Sequence, residues 1–507
     1  MDNQTIKSEE KLVRGLRLLD ATMIVIGSMI GSGLFITSAE SARLVGSPGW
    51  LLAAWALAGV MTISGALCCA ELAAMSPKAG GQYVFLREAY NPMTGFLFGW
   101  ALFVVIQTGT IAAVAIAFAN FTGVLVKWVA ADNYLIAPRV FGSYAISLST
   151  QQLVAVLLIL FLTFTNTRGL KTGKLIQNAF TFTKTAALLG LIIVGLFFGI
   201  KESSAAFSSS WWNPQANGWT PQAAQPGLKI ASALALLMLL GRAMTGPLFA
   251  QSAWNNVTFT AGEVENPGRN LPRALLIGCL TVVGLYLLAN LAYVVALPLE
   301  EIQRAPQNRV ATAAMQAILG APGVVLMAIA IVISTFGCNN GLILAGARVY
   351  YAMARDGLFF KSTGTLNNHH VPAAALIAQG LWASLLTLPR AVTTDAQTVA
   401  VTYGNVYTQL LEYIVSADLI FYALMVGAVI VMRRKVPDAA RPFRAFGYPL
   451  TPLLYISFAL LLVLDLAYLA PATSGIGYLI VLTGIPVYLL WRRSAAFRPA
   501  PDTEIAG

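Results

Sequence analysis

Charged residues are scarce in this sequence. Asp, Glu, Lys and Arg together account for 10% of its 507 residues, whereas 57% are hydrophobic and the mean hydropathy is +0.72. Soluble domains carry about 25% charged residues. Because so few charges cannot cover a water-exposed surface, the composition excludes a soluble chain of this length, which would normally form two or three domains. It predicts an integral membrane protein.

Histidine and cysteine are also rare, which argues against catalytic and metal chemistry. The only two histidines, His369 and His370, fall in a predicted loop. The four cysteines lie in apolar stretches without a C-x-x-C pair, as is typical of small buried packing residues: Cys68, Cys69, Cys279 and Cys338. No Ser–His–Asp set and no nucleotide-binding loop is evident. We therefore expect no enzyme, no cofactor and no metal site.

The positive charge excess predicts membrane orientation. The net charge is +11, but the basic residues form short clusters between apolar runs, so we expect no nucleic-acid partner. In membrane proteins such clusters mark the cytoplasmic side. When alternate loops are compared, most Lys and Arg residues fall on the side of the N-terminus. Both termini of this multi-pass protein are therefore predicted to be cytoplasmic. The membrane is expected to be the plasma membrane, which is the inner membrane in a cell that has two membranes.

Long apolar runs give the number of membrane spans. A helix needs about 20 mostly apolar residues to cross the hydrocarbon layer. Twelve such runs are predicted, at 20–43, 49–75, 93–126, 151–166, 174–200, 229–259, 271–298, 322–350, 372–389, 402–432, 449–470 and 474–491. The stretch 201–228 is predicted to be an external loop, and 300–321 an external segment with a short helix.

The first span contains a glycine-rich segment. Gly27, Gly31 and Gly33 lie within seven residues, which weakens a helix. An unwound turn persists in a bilayer only where it lines a cavity. Its free amides, together with the dipole of the following half-helix, suit a carboxylate. The alternative is that the glycines only allow close helix packing.

The sixth span contains a matching irregularity. Gly246 and Pro247 interrupt it, because proline removes a helical hydrogen bond, and the polar run 251–256 follows. Interrupted spans at corresponding positions of two halves indicate a transporter site. Free carbonyls on this break would accept an ammonium group. A ligand with a carboxylate at one break and an ammonium group at the other is an α-amino acid. The alternative of a channel is disfavoured, because a channel should show a continuous polar stripe along its spans.

Several motifs support this interpretation. They are GSMIGSGLF (27–35), ELAAMSPKAGGQYVFLREAYNP (71–92), Phe249-Ala250 with Trp254-Asn255, Glu263 with NPGRNLP (266–272), STFG (334–337), ARDG (354–357), RRK (433–435), RPF (441–443) and GYP (447–449). In this order they resemble the amino acid–polyamine–organocation superfamily, and within it the L-type amino-acid transporter branch. The resemblance covers residues 20 to 450.

The resemblance implies an all-α integral membrane protein with the leucine-transporter fold. That fold has 12 transmembrane helices, in two inverted five-helix repeats followed by two C-terminal helices. The expected units are a cytoplasmic N-terminus (1–19), the first repeat (20–200), the second repeat (229–432), the last two helices (449–491) and a cytoplasmic C-terminus (492–507).

The resemblance also implies roles for individual residues. The substrate carboxylate would bind at Gly31, Ser32 and Gly33. The ammonium group and the side chain would lie against Ile30, Phe249, Ala250, Gln251, Ser252, Ala253 and Asn255, with Phe249 as an aromatic gate. The sequence departs from the family at 251–253, where many relatives have a glycine-rich turn.

Lys184 lies inside the fifth span. An ionisable residue there indicates a functional site by default. By resemblance, its ammonium stands where sodium-coupled members bind a cation, within reach of carbonyls near Gly27 and Ile30 and of the hydroxyl of Ser334 or Thr335. The alternative is a lysine whose charged end snorkels to the interface.

Arg242 is not expected from the family. Three roles are open for it: pairing with an acidic substrate, gating the outer vestibule, or pairing with a carboxylate such as Glu412 or Asp418. Glu71, Asp418 and Asp465 are themselves expected to be structural.

The predicted function is sodium-independent exchange of neutral L-amino acids by alternating access. A proton-coupled symporter or facilitator remains open, with a polyamine or amine permease as a more distant alternative. The expected partners are the amino-acid substrate and the lipid bilayer. Since 127–150 contains no cysteine, no disulfide-linked heavy subunit is expected, and the chain resembles bacterial-type members.

Overall fold

The computed structural model describes residues 14–493 except 143, 201–203, 208, 231, 395–400 and 404–405. Most of the predicted cytoplasmic N-terminus (1–19) and C-terminus (492–507) therefore lies outside the described residues.

α-Helices make up most of the described chain. In chain order they are α1 (Leu18–Met29), α2 (Gly33–Val45), α3 (Pro48–Met75), α4 (Gln82–Ala89), α5 (Pro92–Ala101), α6 (Gln107–Leu125), α7 (Thr150–Asn166), α8 (Leu170–Phe198), α9 (Pro221–Ala224), α10 (Ser232–Ala243), α11 (Thr245–Ala250), α12 (Asn256–Phe259), α13 (Pro267–Ala296), α14 (Leu299–Gln303), α15 (Val310–Leu319), α16 (Ala321–Arg355), α17 (Ala373–Leu386), α18 (Val406–Lys435), α19 (Leu450–Leu469) and α20 (Pro471–Arg492). A π-helical turn, Leu102–Ile106, joins α5 to α6.

Many of these helices can cross a membrane. Among the described residues, nine helical segments are long and apolar enough, and the bent pair α1 and α2 would make a tenth. The nine are Pro48–Met75, Pro92–Leu125, Gly173–Phe198, Ala233–Ala250, Pro267–Ala296, Ala321–Arg355, Leu410–Lys435, Leu450–Leu469 and Pro471–Arg492. Three shorter apolar helices are α7, α15 and α17. A helical, multi-pass membrane protein is thus confirmed, and α15 is the short helix predicted within 300–321.

Four strands form a small sheet that an all-α prediction leaves out. They are β1 (Tyr134–Phe141), β2 (Tyr144–Ser149), β3 (Pro389–Thr394) and β4 (Val401–Tyr403), antiparallel in the order β1-β2-β3-β4. The sheet joins the α6–α7 connection to the α17–α18 connection. Aromatic and β-branched residues are frequent in these short segments, which favours strands. A span-by-span search for long apolar runs does not detect them.

A buried ion pair fixes one end of the helix bundle. Arg348 of α16 makes two hydrogen bonds to the Glu263 carboxylate, of 3.1 and 2.9 Å, and both side chains are 1% exposed. The Glu263 carbonyl accepts hydrogen bonds from the amides of Gly15 and Leu16, and Lys174 of α8 donates to the Gly15 carbonyl at 3.0 Å. The pair therefore holds α16, the turn after α12 and the segment before α1 together.

A second carboxylate ties other helices at their ends. Glu71 of α3 is 1% exposed and accepts two hydrogen bonds from Arg433 of α18, of 2.8 and 2.7 Å. It also accepts the amide of Ala445 at 2.7 Å. These contacts fix α3, α18 and the connection to α19 relative to one another.

We expect Arg348→Met to destabilise the fold. It leaves Glu263 buried without its partner, and breaking a buried pair in this way costs about 3–5 kcal/mol. Thermal unfolding in detergent measures the loss. The double variant with Glu263→Gln should recover part of it, because the uncompensated charge is then gone.

The control for this prediction is Arg304→Ala. Arg304 pairs with Glu300 at 2.7 Å, but the two side chains are 79% and 68% exposed, so the loss should be less than about 1 kcal/mol. Equal destabilisation by Arg304→Ala and Arg348→Met would contradict the importance given to the buried pair.

Candidate functional site

The first break lies between α1 and α2. Helix α1 continues through Gly27 and ends at Met29, and α2 begins at Gly33 after a bend of 41°. The break is thus shorter than the predicted segment 27–33. Among the described backbone hydrogen bonds, none is donated by the amides of Ser32 or Gly33. Free amides at a helix N-terminus attract anions.

The second break lies after α11, within the predicted polar run 251–256. The span is also interrupted one turn before Pro247, because α10 ends at Ala243 and α11 begins at Thr245. The helix runs through Pro247 to Ala250, and α12 begins at Asn256. Pro247 deprives the Ala243 carbonyl of its helical donor, but the Ser41 hydroxyl of α2 donates to that carbonyl at 2.8 Å. Because the orphaned acceptor is satisfied from another helix, the proline is tolerated. The unwound turn contains Ala253, at φ +64°.

The two breaks touch. A Cβ atom on Gly33 would lie 2.6 Å from the Cβ atom and 2.8 Å from the Cα atom of Ala250. Only glycine allows this approach. The N-terminus of α2 is therefore held against the C-terminal end of α11, which brings free amides and free carbonyls to one place.

Lys184 lies at the first break. Its side chain is 1% exposed, and its Nζ atom donates to the Gly27 carbonyl at 2.5 Å and to the Ile30 carbonyl at 2.7 Å. A lysine that snorkels would place its charge at the membrane interface instead. Here the ammonium group donates hydrogen bonds to carbonyls at the C-terminal end of α1, where the helix dipole also favours a positive charge.

Only one of the two hydroxyls predicted beside Lys184 lies at the break. Ser334 of α16 donates to the carbonyls of Ile30 and Gly31, at 3.3 and 3.2 Å. The Thr335 hydroxyl donates to Ile331 of its own helix at 2.7 Å. Neighbouring positions on a helix point in different directions, so one of the pair faces α1 and the other does not.

The carbonyls expected to bind the substrate ammonium differ in their availability. The Ile30 carbonyl accepts from Lys184 and Ser334. The Phe249 carbonyl accepts the Ser252 hydroxyl at 2.7 Å. The Ala250 carbonyl receives no hydrogen bond from the described residues. In this arrangement the Ala250 carbonyl is the acceptor most available to a substrate ammonium group.

Tyr407 of α18 is a site residue that the sequence analysis missed. Its hydroxyl lies 3.1 Å from the Ser32 hydroxyl, and its ring meets the Phe249 ring edge-on at a centroid distance of 6.1 Å. The two rings together cover the point where the breaks meet, and Phe249 is 5% exposed. No spacing or motif marks Tyr407 in the sequence, because its position depends on how α18 packs.

The remaining predicted residues of the second break point in several directions. Gln251 donates to the Trp55 carbonyl of α3 at 3.2 Å. Asn255 donates to Gln82 of α4 at 2.6 Å and accepts from Tyr422 of α18 at 3.3 Å. Both side chains thus anchor the unwound turn to its neighbours.

Arg242 pairs with Glu412 of α18. The nitrogen–oxygen distance is 3.5 Å, and Arg242 also donates to Gln225. Of the three roles open from the sequence, the structure thus shows the pairing with Glu412. The pair borders a cavity lined also by Glu40, Gly246 and Tyr407.

Comparisons with known proteins agree with the motifs. The family model described as amino acid permease matches residues 16–490. The mouse large neutral amino acids transporter small subunit 2 is 31% identical over 479 residues, 94% of this chain and 81% of that protein. The Bacillus subtilis serine/threonine exchanger SteT is 28% identical over 483 residues, 94% of this chain and 96% of that protein. The human b(0,+)-type amino acid transporter 1 is 28% identical over 448 residues, which are 87% of this chain and 82% of that protein. The chain belongs to the amino acid permease family, and the resemblance to L-type transporters is confirmed.

We expect Gly33→Ala to reduce transport strongly while the protein still folds. The added methyl group meets the backbone of Ala250 at 2.8 Å, so the two breaks must separate and the free amides leave the carbonyls. Initial uptake rates should fall about 10-fold or more, in line with the effect of small displacements in a preorganised site.

The matched control is Gly190→Ala. A Cβ atom at Gly190 of α8 meets nothing within 4 Å, so uptake should stay at the wild-type rate. Wild-type uptake by Gly33→Ala would show that the close contact of the breaks is not required.

Proposed function

We propose that this amino acid permease exchanges neutral L-amino acids across the membrane without sodium, by alternating access. The observation that carries the proposal is the buried Lys184 ammonium on the carbonyls of Gly27 and Ile30. The names of the relatives, a transporter of large neutral amino acids and a serine/threonine exchanger, support the substrate class and the exchange mode.

Sodium independence follows from what Lys184 does at the break. Carbonyl groups freed by a broken helix need a donor or a cation in the apolar interior. A covalently attached ammonium supplies both, with hydrogen bonds of 2.5 and 2.7 Å. A dissolved cation is then unnecessary for the site to hold its shape.

The substrate position is proposed from the groups at the two breaks. The carboxylate would accept hydrogen bonds from the amides of Ser32 and Gly33, and from that of Gly31 once its present bond to the Met29 carbonyl, of 2.8 Å, is released. The ammonium group would lie against the carbonyls of Ala250 and Ser252, with Ile30 as a partner once Ser334 moves and Phe249 once the Ser252 hydroxyl moves. Phe249 and Tyr407 would cover the bound substrate.

The architecture is proposed to comprise 12 transmembrane helices. Adding α7 and α17 to the ten candidate spans supports that number. The inverted repeats would be 20–200 and 229–432, each opening with a broken helix, and α19 and α20 would be additional. We propose that both termini are cytoplasmic in the plasma membrane, because basic clusters concentrate on that side, and that no disulfide-linked heavy subunit is needed.

Arg242 is proposed to act at an outer gate. Its pairing with Glu412 and Gln225 supports this role, because it links α10 to α18 beside the cavity that borders Tyr407. Opening an outer path past Phe249 would require α10 and α18 to separate, and therefore the pair to break. Direct pairing of Arg242 with an acidic substrate is the alternative.

Exchange is tested by uptake into proteoliposomes. Labelled neutral amino acids should enter vesicles loaded with an unlabelled neutral amino acid at least about 10-fold faster than empty vesicles, at equal pH and with choline in place of sodium. Exchange requires a returning substrate, which empty vesicles lack. Equal uptake into empty vesicles would contradict exchange, and stimulation by an inward proton gradient would then identify proton coupling.

Lys184→Ala should abolish exchange or slow it about 100-fold. The buried Gly27 carbonyl loses its side-chain donor, at about 1–3 kcal/mol, the Ile30 carbonyl keeps only Ser334, and the first break loses its fixed charge. The matched control is Thr183→Ala, because Thr183 is exposed on the same helix and its hydroxyl bonds within that helix. Wild-type exchange by Lys184→Ala, in a protein that elutes as wild type in size-exclusion chromatography, would rule out the role given to the lysine.

A further inference from the structure

Asp418 is a buried carboxylate that faces the second break. It lies in α18, is 7% exposed, and lines two small cavities, one on each side of the unwound turn. One cavity extends towards Thr62 and Tyr455, and the other towards Thr110. Ser252 of the break borders both cavities, as does Tyr422. The carboxylate is therefore next to the place proposed for the substrate.

Asp418 differs from the other buried carboxylates described above. Glu71 and Glu263 each have an arginine within 4.0 Å, as has the partly exposed Glu412. Over the described part of the chain, no Lys or Arg lies within that distance of Asp418. Burial of an unpaired carboxylate is costly. A group of this kind at a binding site is retained for a ligand that supplies the missing partner.

The protein supplies few hydrogen-bond donors to this carboxylate. Tyr422 is close enough to bond to Asp418, but it has one hydroxyl proton, and the Asn255 oxygen 3.3 Å away competes for it. The amide nitrogen of Asn255 donates to Gln82 at 2.6 Å, and among the described residues it makes no hydrogen bond to Asp418. A carboxylate can accept about four hydrogen bonds. Acceptor capacity therefore remains at Asp418.

The substrate can supply the missing donor. Its carboxylate is assigned to the amides of the first break and its ammonium group to carbonyls of the second. Only the side chain is then left to meet Asp418. The small size of the two cavities fits a short polar group or a water molecule beside the carboxylate, not a bulky apolar side chain.

We propose that Asp418 selects among amino acids by accepting a hydrogen bond from the substrate side chain. The preferred substrates carry a hydroxyl or amide donor, and apolar amino acids of the same shape bind more weakly. This inference rests on the proposed function, and it replaces the structural role expected for Asp418 from the sequence. A site built for a polar partner rejects analogues that leave its buried group unpaired.

The test uses pairs of amino acids of equal shape. Serine is compared with 2-aminobutyrate, threonine with valine, and homoserine with norvaline, each as a competitor of exchange in proteoliposomes. In the wild-type protein at least one donor should compete at a concentration about 10-fold lower than its apolar partner, and Asp418→Leu should abolish or reverse that preference. Asp418→Asn, which keeps an acceptor oxygen, should retain part of it.

Asp465→Leu is the matched control. Asp465 is a carboxylate of α19 beside Gly241, and it borders neither cavity, so the ratio within each pair should stay at its wild-type value. If Asp418→Leu does not fold, Asp418→Asn carries the test: a preference weaker than in the wild-type protein supports the role of Asp418, and an unchanged preference overturns it.

Each outcome has one meaning. Exchange with equal competition inside all three pairs overturns the role of Asp418 and leaves the proposed function intact. An unchanged preference in Asp418→Leu also overturns it, and a pH dependence lost in that variant would identify a proton carrier instead. Absence of amino-acid exchange in the wild-type protein refutes the proposed function itself.

Discussion

The site depends on one requirement, which is that carbonyl groups released by a broken helix inside the membrane must find partners. Lys184 meets it at the first break, where its ammonium binds the carbonyls of Gly27 and Ile30. The same ammonium offsets the partial negative charge at the end of α1. Without such a donor the turn would be costly in lipid, and the free amides of α2 would not be held open towards a substrate.

The second break follows the same rule with different groups. Ser41 satisfies the carbonyl that Pro247 leaves free, so α11 extends to Ala250 before it unwinds. The contact between Gly33 and Ala250 then joins the two breaks. Both contacts join residues that are distant in sequence, so the site is formed by several helices together and not by either broken helix alone.

The charged pairs divide into two groups according to their surroundings. Glu263 and Glu71 have arginine partners and are 1% exposed, and they fix the ends of helices. Arg242 and Glu412 border a cavity and are partly exposed, which suits a contact that opens. Asp418 has neither arrangement. Among the described residues Asp465 also lacks a Lys or Arg within 4.0 Å, but only Asp418 borders the cavities at the unwound turn, and this position is what favours a ligand as its partner.

The sequence alone determined the membrane class, the helical architecture, the two irregular spans and the family, because these follow from composition, from apolar run length and from local motifs. It also marked Lys184, since a charge inside an apolar span is conspicuous. Tertiary structure alone decided that Tyr407 reaches Ser32, that Ser334 and not Thr335 joins the first break, and that Pro247 does not end its helix. The physical reason is that these outcomes depend on which donor and acceptor meet across packed helices, and helix periodicity does not encode such distances. The sheet was not predicted for a similar reason, because its central pairing, between β2 and β3, joins segments more than 200 residues apart in the sequence.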